Sequence, residues 1–269
     1  MKYFLILLTF FGVISCGNEK SEEFPANLVW EDNFIGSSLD TNFWNIYVGN
    51  GCPELCGFGN NELQYYNSDS LNIQVENGQL ILTALYDSIS KTFSSAKITT
   101  NHKVDFKNGY LEVVAKLPNA VGTWPAIWLL PSLTRNLNWP LDGEIDIMEN
   151  VGYDSCKILG TIHTKAYNHS IGTQKSDSII ILTAHQNFHT YSLNWTDSIL
   201  EWYVDSNLYN SIKRKSTDRE EQWPFDKPFH LIVNQAVGGD WGGRMGVDTS
   251  SFPQSLIIDR VKLYNKKPF

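Results

Sequence analysis

Two glutamates and an aspartate stand close together in Gly143-Glu-Ile-Asp-Ile-Met-Glu-Asn150, at positions 144, 146 and 149. Paired carboxyl groups can cut a glycosidic bond: one attacks the sugar carbon while the other hands a proton to the leaving oxygen, with the two about 5–5.5 Å apart in the retaining arrangement. A third carboxyl between them can hold or share a proton and keep the other two pKa values apart. Glu144, Asp146 and Glu149 are the candidate catalytic residues on this reading.

Such chemistry needs one surface. In a strand, side chains alternate, so Glu144 and Asp146 share a face with position 148 while Ile145 and Ile147 pack the other. Glu149 has the wrong parity. One extra residue, a β-bulge near Met148, would return it to the face of the other two, as bulges beside active sites do. Three like charges on one strip repel and require water, a metal or a shared proton to relieve them. Two readings fit: a solvated acidic strand face, or a catalytic strip.

The segments that would carry this strip read as strands. Gln79–Tyr86, Gly109–Lys116, Tyr191–Trp195, Leu200–Val204 and Ile257–Tyr264 are short, β-rich and often alternating. Asn77-Gly78 and Asn108-Gly109 are turn signals, and Thr196-Asp197-Ser198 is a hairpin loop. No segment offers a capped helical stripe over several turns, and the best is a short one around Ser216 to Gln222. Many short antiparallel strands in one unit predict an all-β sandwich of two sheets, a jelly roll.

Composition agrees. The 269 residues are 42% apolar and 19% charged, as in globular proteins, and a net charge of -8 supplies no basic footprint for nucleic acid. Lys2, the apolar run Tyr3–Ile14 and the small-residue boundary Ser15-Cys16 read as a signal peptide over residues 1–15. Val13-Ile14-Ser15-Cys16 resembles a lipobox, which implies a lipid on Cys16; a plain cleaved signal is the other reading. Residues 16–26 read as a solvated tether, similar to surface-export signals of Bacteroidota lipoproteins, and 27–269 as the catalytic domain. The expected location is the bacterial outer membrane, reached through that lipid. Cys52 and Cys56 could be half of a redox or zinc site, but in an exported chain a loop disulfide is the better fit. Cys156 is expected as a small buried thiol.

The carboxylate run, with Trp139-Pro140 before it, resembles the catalytic signature of glycoside hydrolase family 16, in its laminarinase-like branch. The resemblance extends through Asn60-Asn-Glu-Leu-Gln-Tyr-Tyr66, Lys116-Leu-Pro118, Thr123-Trp-Pro-Ala-Ile-Trp-Leu-Leu-Pro131, Gly160-Thr-Ile-His-Thr164, Phe188-His-Thr-Tyr191, Trp223-Pro-Phe-Asp-Lys-Pro-Phe229 and Asn234-Gln-Ala-Val-Gly-Gly239, and covers about Leu28 to Tyr264. It implies a jelly roll with a concave sugar cleft, Glu144 as nucleophile, Glu149 as acid/base and Asp146 as helper. Among the matched motifs, Trp128, Trp139 and Trp241 become candidate sugar platforms, His163 and Asn61 candidate sugar contacts, and Glu62 a structural residue. Trp124 and Trp202 are expected in the core.

The resemblance further implies β-1,3-glucan as substrate, with mixed-linkage β-1,3/1,4-glucan next. A galactan hydrolase or a non-catalytic glycan binder would share the fold, but a binder has no use for both glutamates. No cofactor is implied for catalysis. A structural calcium is implied near Glu31, Gly78 and Asp259, bound largely by main-chain oxygens, and the protein is expected to act as a monomer. One departure is Val114, which replaces an arginine of the family pattern and is expected to cost the cleft a hydrogen-bond donor. Phe58 stands where tryptophan is frequent.

Overall fold

Period-two alternation leaves each strand one apolar face to bury, and two sheets laid face to face bury them all. The computed structural model describes residues 25–268, and there the chain forms eighteen strands in a ten-stranded and an eight-stranded sheet, joined by loops and four short 3₁₀ turns. Pairing is antiparallel except between Gln64–Tyr66 and Thr92–Ser95. This is the jelly-roll sandwich expected from the pattern. The signal segment and Cys16 lie outside the described residues.

In the ten-stranded sheet, Gly109–Lys116 runs between His189–Trp195 and Gln254–Tyr264. In the eight-stranded sheet, Thr123–Pro131 runs between Glu144–Glu149 and Phe229–Val237, and Glu144–Glu149 is flanked on its other edge by Lys157–His163. The inward residues interleave: Leu111, Val113 and Val261 from one sheet meet Ile127, Leu129 and Ile145 from the other in one buried cluster. Trp195 stands edge-on to Phe229 across it, ring centres 5.3 Å apart. The turn signals hold: Asn77 and Gly78 both take positive φ, 55° and 72°, the two-residue hairpin that joins Glu76 to Gln79.

Ser216 to Gln222 forms turns, its apolar stripe being too short to nucleate a helix. Two expectations change. Val114 lies in the ten-stranded sheet, paired with Thr190 and Arg260, so the arginine it replaces would not reach the cleft and no cleft donor is lost. Cys156 is half-buried, with Sγ 3.8 Å from the Leu182 carbonyl oxygen, rather than a core thiol.

Candidate active site

The register of Thr123–Pro131 is unbroken against Phe229–Val237, but it slips against the carboxylate strand: Ala126 faces Glu149, Ile127 faces Met148, and Trp128 faces Asp146. On the other edge Asp146 faces Thr161 and Glu149 faces Leu159, three steps against two. The extra residue is accommodated by sending consecutive side chains inward, for Ile147 and Met148 are both core residues with at most 1% exposure. Glu149 thereby returns to the face of Glu144 and Asp146.

A bulge leaves ladder groups unpaired, and here residues from the far sheet take them up. Trp202 Nε1 crosses the core to donate to the Asp146 carbonyl oxygen at 2.8 Å, and the Tyr209 hydroxyl donates to the Ile147 carbonyl oxygen at 3.4 Å. Gly160, opposite the bulge, makes room for both. A Cβ there would sit 2.5 Å from Trp202 Cδ1 and 2.6 Å from the Tyr209 oxygen. Trp202 is therefore in the core as expected, with a positioning role that the sequence did not reveal.

The three carboxyls line the floor of a cleft of about 1260 Å³. That exceeds the roughly 300–1,000 Å³ of small-molecule pockets. Trp139 Nε1 donates to Glu144 Oε2 and Trp124 Nε1 to Glu149 Oε1, each at 3.1 Å. His163 Nε2 lies 3.3 Å from Asp146 Oδ2 and 3.8 Å from Glu144 Oε1. Burial in the cleft wall pushes Glu144, Asp146 and Glu149 each up to about 8, and the charge of Asp146 adds to the rise at both glutamates. His163 opposes it at the two glutamates, as do the indole donors Trp139 at Glu144 and Trp124 at Glu149. The group cannot carry three charges at neutral pH, so protons stay within it.

Trp128, Trp139, Trp241 and His163 all line the cleft. Trp128 Nε1 donates to Asn234 Oδ1 at 2.7 Å, and Asn234 in turn donates to the Tyr66 hydroxyl at 3.1 Å. The loop carrying Trp139 is fixed by Asp142, fully buried, which accepts from both terminal nitrogens of Arg135 and from the Asn138 amide. Those bonds hold Asp142 down at about 2, the Arg135 pair contributing most.

Asn61 is not a lining residue. It is exposed, with φ of 56°, and its amide donates to Asp240 Oδ1 at 2.8 Å. Asn60 and Glu62 line the cleft instead. Trp124, expected in the core, is also a wall residue and packs edge-on against Trp241 at 5.4 Å. Parity on the unbroken strand could have found it, since Trp124, Ala126 and Trp128 must share one face. Lys97 was missed as well. Its ammonium sits 5.0 Å from the Trp128 ring centre and 4.9 Å from that of Phe58, and burial lowers its pKa against the pull of Glu62 and Glu144.

Cys52 and Cys56 are joined in a disulfide, in a loop whose Leu55, Phe58 and Gly59 reach the cleft rim. Away from the cleft, Val261 pairs with Asp32 and Ile258 with Leu80. Asp259 therefore falls at the junction between the end of the first strand, which holds Glu31, and the Asn77-Gly78 hairpin. The Asp259 carboxylate accepts from Arg260 at 3.0 Å and Glu31 Oε2 lies 3.6 Å from Lys262 Nζ, so a cation at this junction would draw chiefly on main-chain oxygens.

A two-sheet sandwich with an open, tryptophan-walled cleft over three proton-sharing carboxyls defines a polysaccharide-cleaving hydrolase. The chain belongs to glycoside hydrolase family 16: the family pattern described as Glycosyl hydrolases family 16 matches residues 56–252. A β-glucanase of Rhodothermus marinus is 42% identical over 269 residues, spanning 96% of this chain and 92% of that protein. The X-ray structure of the laminarinase from Rhodothermus marinus is 41% identical, with a TM-score of 0.85 over 91% of this chain and all of that one. SCLam, a non-specific endo-β-1,3(4)-glucanase of the same family, is 40% identical, with a TM-score of 0.83 over 90% of this chain and 92% of its own.

Proposed function

We propose that this glycoside hydrolase cleaves β-1,3-glucan of the laminarin type internally, by double displacement. The carrying observation is the bulge that turns Glu149 onto the face of Glu144 and Asp146. Glu144 attacks the anomeric carbon, its charge favoured by the Trp139 indole and by His163. Glu149, protonated, delivers its proton to the leaving oxygen and then, as a base, activates the water that releases the glycosyl group. Asp146, neutral between them, withholds a second negative charge from beside Glu144. Trp124 fixes the Glu149 carboxyl, while the Trp128, Trp139 and Trp241 rings offer flat apolar faces to sugar C–H groups. The likeness to SCLam supports mixed-linkage glucan as a second substrate.

Proton NMR of laminarin digestion should show the β-anomer of the new reducing end before mutarotation, and an early α-anomer would overturn the assignment of Glu144. Initial rates on laminarin, barley β-glucan, lichenan, agarose and carrageenan should rank laminarin first. A faster rate on agarose would sink the glucan reading.

The reading includes export and attachment to the outer membrane through a lipid on Cys16, supported by Lys2, the apolar run and the polar stretch that follows. It also includes a monomer, since one chain supplies every cleft residue named above, and sedimentation as a dimer would contradict it. A calcium ion at the junction of Glu31, Gly78 and Asp259 would stabilise the fold and take no part in the chemistry.

A further inference from the structure

Glu144, Asp146 and His163 offer three ligand atoms that all lie within 4.8 Å of one another. A tetrahedral zinc ion with bonds of about 2.0–2.1 Å sets its ligand atoms about 3.3 Å apart. His163 Nε2 stands at 3.3 Å from Asp146 Oδ2 and 3.8 Å from Glu144 Oε1, and side-chain rotation that draws the two carboxylate oxygens together from within 4.8 Å closes the set. We propose that these three residues form a binding site for a borderline-soft divalent cation of the zinc type, which occupies the catalytic centre in competition with glucan.

A second observation points to a ligand. The Asp146 side chain is only 4% exposed, and its Oδ2, aimed at His163, has no hydrogen-bond partner. A buried acceptor of this kind costs free energy until something supplies positive charge. Trp139 occupies Glu144 Oε2 and leaves Oε1 for a metal, while Glu144, 15% exposed, marks the side from which an ion enters. The fourth position opens on the cleft, where water or a sugar hydroxyl completes the tetrahedron.

The donor set chooses the ion. Calcium needs six to eight oxygens, and two carboxylates with an imidazole cannot provide them. Imidazole with carboxylate suits zinc. Dedicated zinc sites orient each histidine through its other ring nitrogen, whereas His163 Nδ1 has no acceptor. The affinity is accordingly that of an inhibitory site rather than a resident cofactor.

Calorimetric titration of zinc alone into the full chain should show one ion bound per chain. His163→Gln and Asp146→Asn, both checked for folding by thermal melting, should each weaken binding more than about 100-fold, beyond the usual cost of losing an outer partner. His189→Gln, at the separate His189–Asp205 pair, should leave it unchanged. Competition rests on the glucan reading and is measured on Glu149→Gln, which keeps all three ligands: saturating laminaritetraose should abolish zinc binding. Zinc affinity that survives His163→Gln, or that is indifferent to bound tetrasaccharide, overturns the proposal. Failure of the tetrasaccharide to bind, with the zinc results as expected, leaves the metal site standing and counts against the glucan reading instead.

Discussion

Trp202 and Asp146 lie on opposite sheets, yet the indole of one donates to the main-chain oxygen of the other at 2.8 Å through the middle of the core. The bond falls at the residue where the carboxylate strand begins to bulge, so the packing of one sheet sets the direction of a catalytic side chain on the other. A bulge not held in this way would have an unpaired carbonyl in an apolar interior, at a cost of about 1–3 kcal/mol. The regular ladder would then compete, and in it Glu149 points into the core.

Trp202→Phe keeps an aromatic ring while removing the donor. We expect it to lower stability by about 1–3 kcal/mol and to reduce kcat by more than it raises KM, because the proton donor loses its aim while the sugar platforms are untouched. Denaturant melts and steady-state kinetics on laminarin check this. A variant destabilised to that degree with unchanged kcat would show that the bulge holds without the indole.

Glu144→Gln should abolish turnover on polysaccharide with the fold intact. Glu149→Gln should reduce it by about 10²–10⁴-fold, the usual contribution of a positioned acid, and should recover on aryl glucosides whose leaving group needs no proton. Circular dichroism and rates on both substrate types decide. Equal losses on both substrates for Glu149→Gln would remove it from the proton-donor role.

The carboxylate strip was legible in the sequence because parity is a local property: Glu149 fell on the wrong face, and only an extra residue could correct it. The bulge lies at Ile147–Met148, where that reasoning requires it. The strands and hairpin turns were legible for the same local reason. The bulge's supports were not, since Trp202 and Tyr209 lie 56 and 62 positions from their acceptors and no periodicity encodes such a contact. Asn61 misled because its left-handed backbone turns it out of line with Asn60 and Glu62. Val114 misled because a family pattern names residues without saying which sheet carries them.

Attachment through Cys16 is tested in a host that processes lipoproteins. The chain with its leader should fractionate with membranes and take up a fatty-acid label, and Cys16→Ala should abolish both. Unlabelled wild-type protein would leave residues 1–15 as an ordinary cleaved signal.

Calcium at the junction of Glu31, Gly78 and Asp259 predicts that a chelator lowers the melting temperature while leaving the initial rate at moderate temperature unchanged. Binding to the native state alone stabilises by about 2.7 kcal/mol at a hundredfold excess over Kd, or roughly 5–10 °C for a domain of this size. Asp259→Ala should remove the response to added calcium. A melting temperature indifferent to chelator would dispose of the site.

The pKa values of the carboxyl group predict how stability must vary with pH. Glu144, Asp146 and Glu149 are each raised to about 8 in the folded protein, burial being the first cause. The native state therefore keeps protons that the unfolded chain releases near pH 4, and it binds more protons than the unfolded state up to about pH 8. Stability is then greatest at the acid end of this window and falls as pH rises through it. Asp142, held at about 2, works in the opposite sense, but its contribution is lost only below the window, as pH falls towards that value. Between pH 5 and 9 the raised carboxyls decide the slope. Asp146→Asn removes one of them, so its melting temperature should match wild type near pH 5 and exceed it by pH 9, by at least about 2–4 °C for each 1 kcal/mol relieved. Calorimetry at constant ionic strength across that range measures the difference. A gap that does not change with pH would mean that Asp146 is not held above its ordinary range, and would remove its neutrality between the two glutamates.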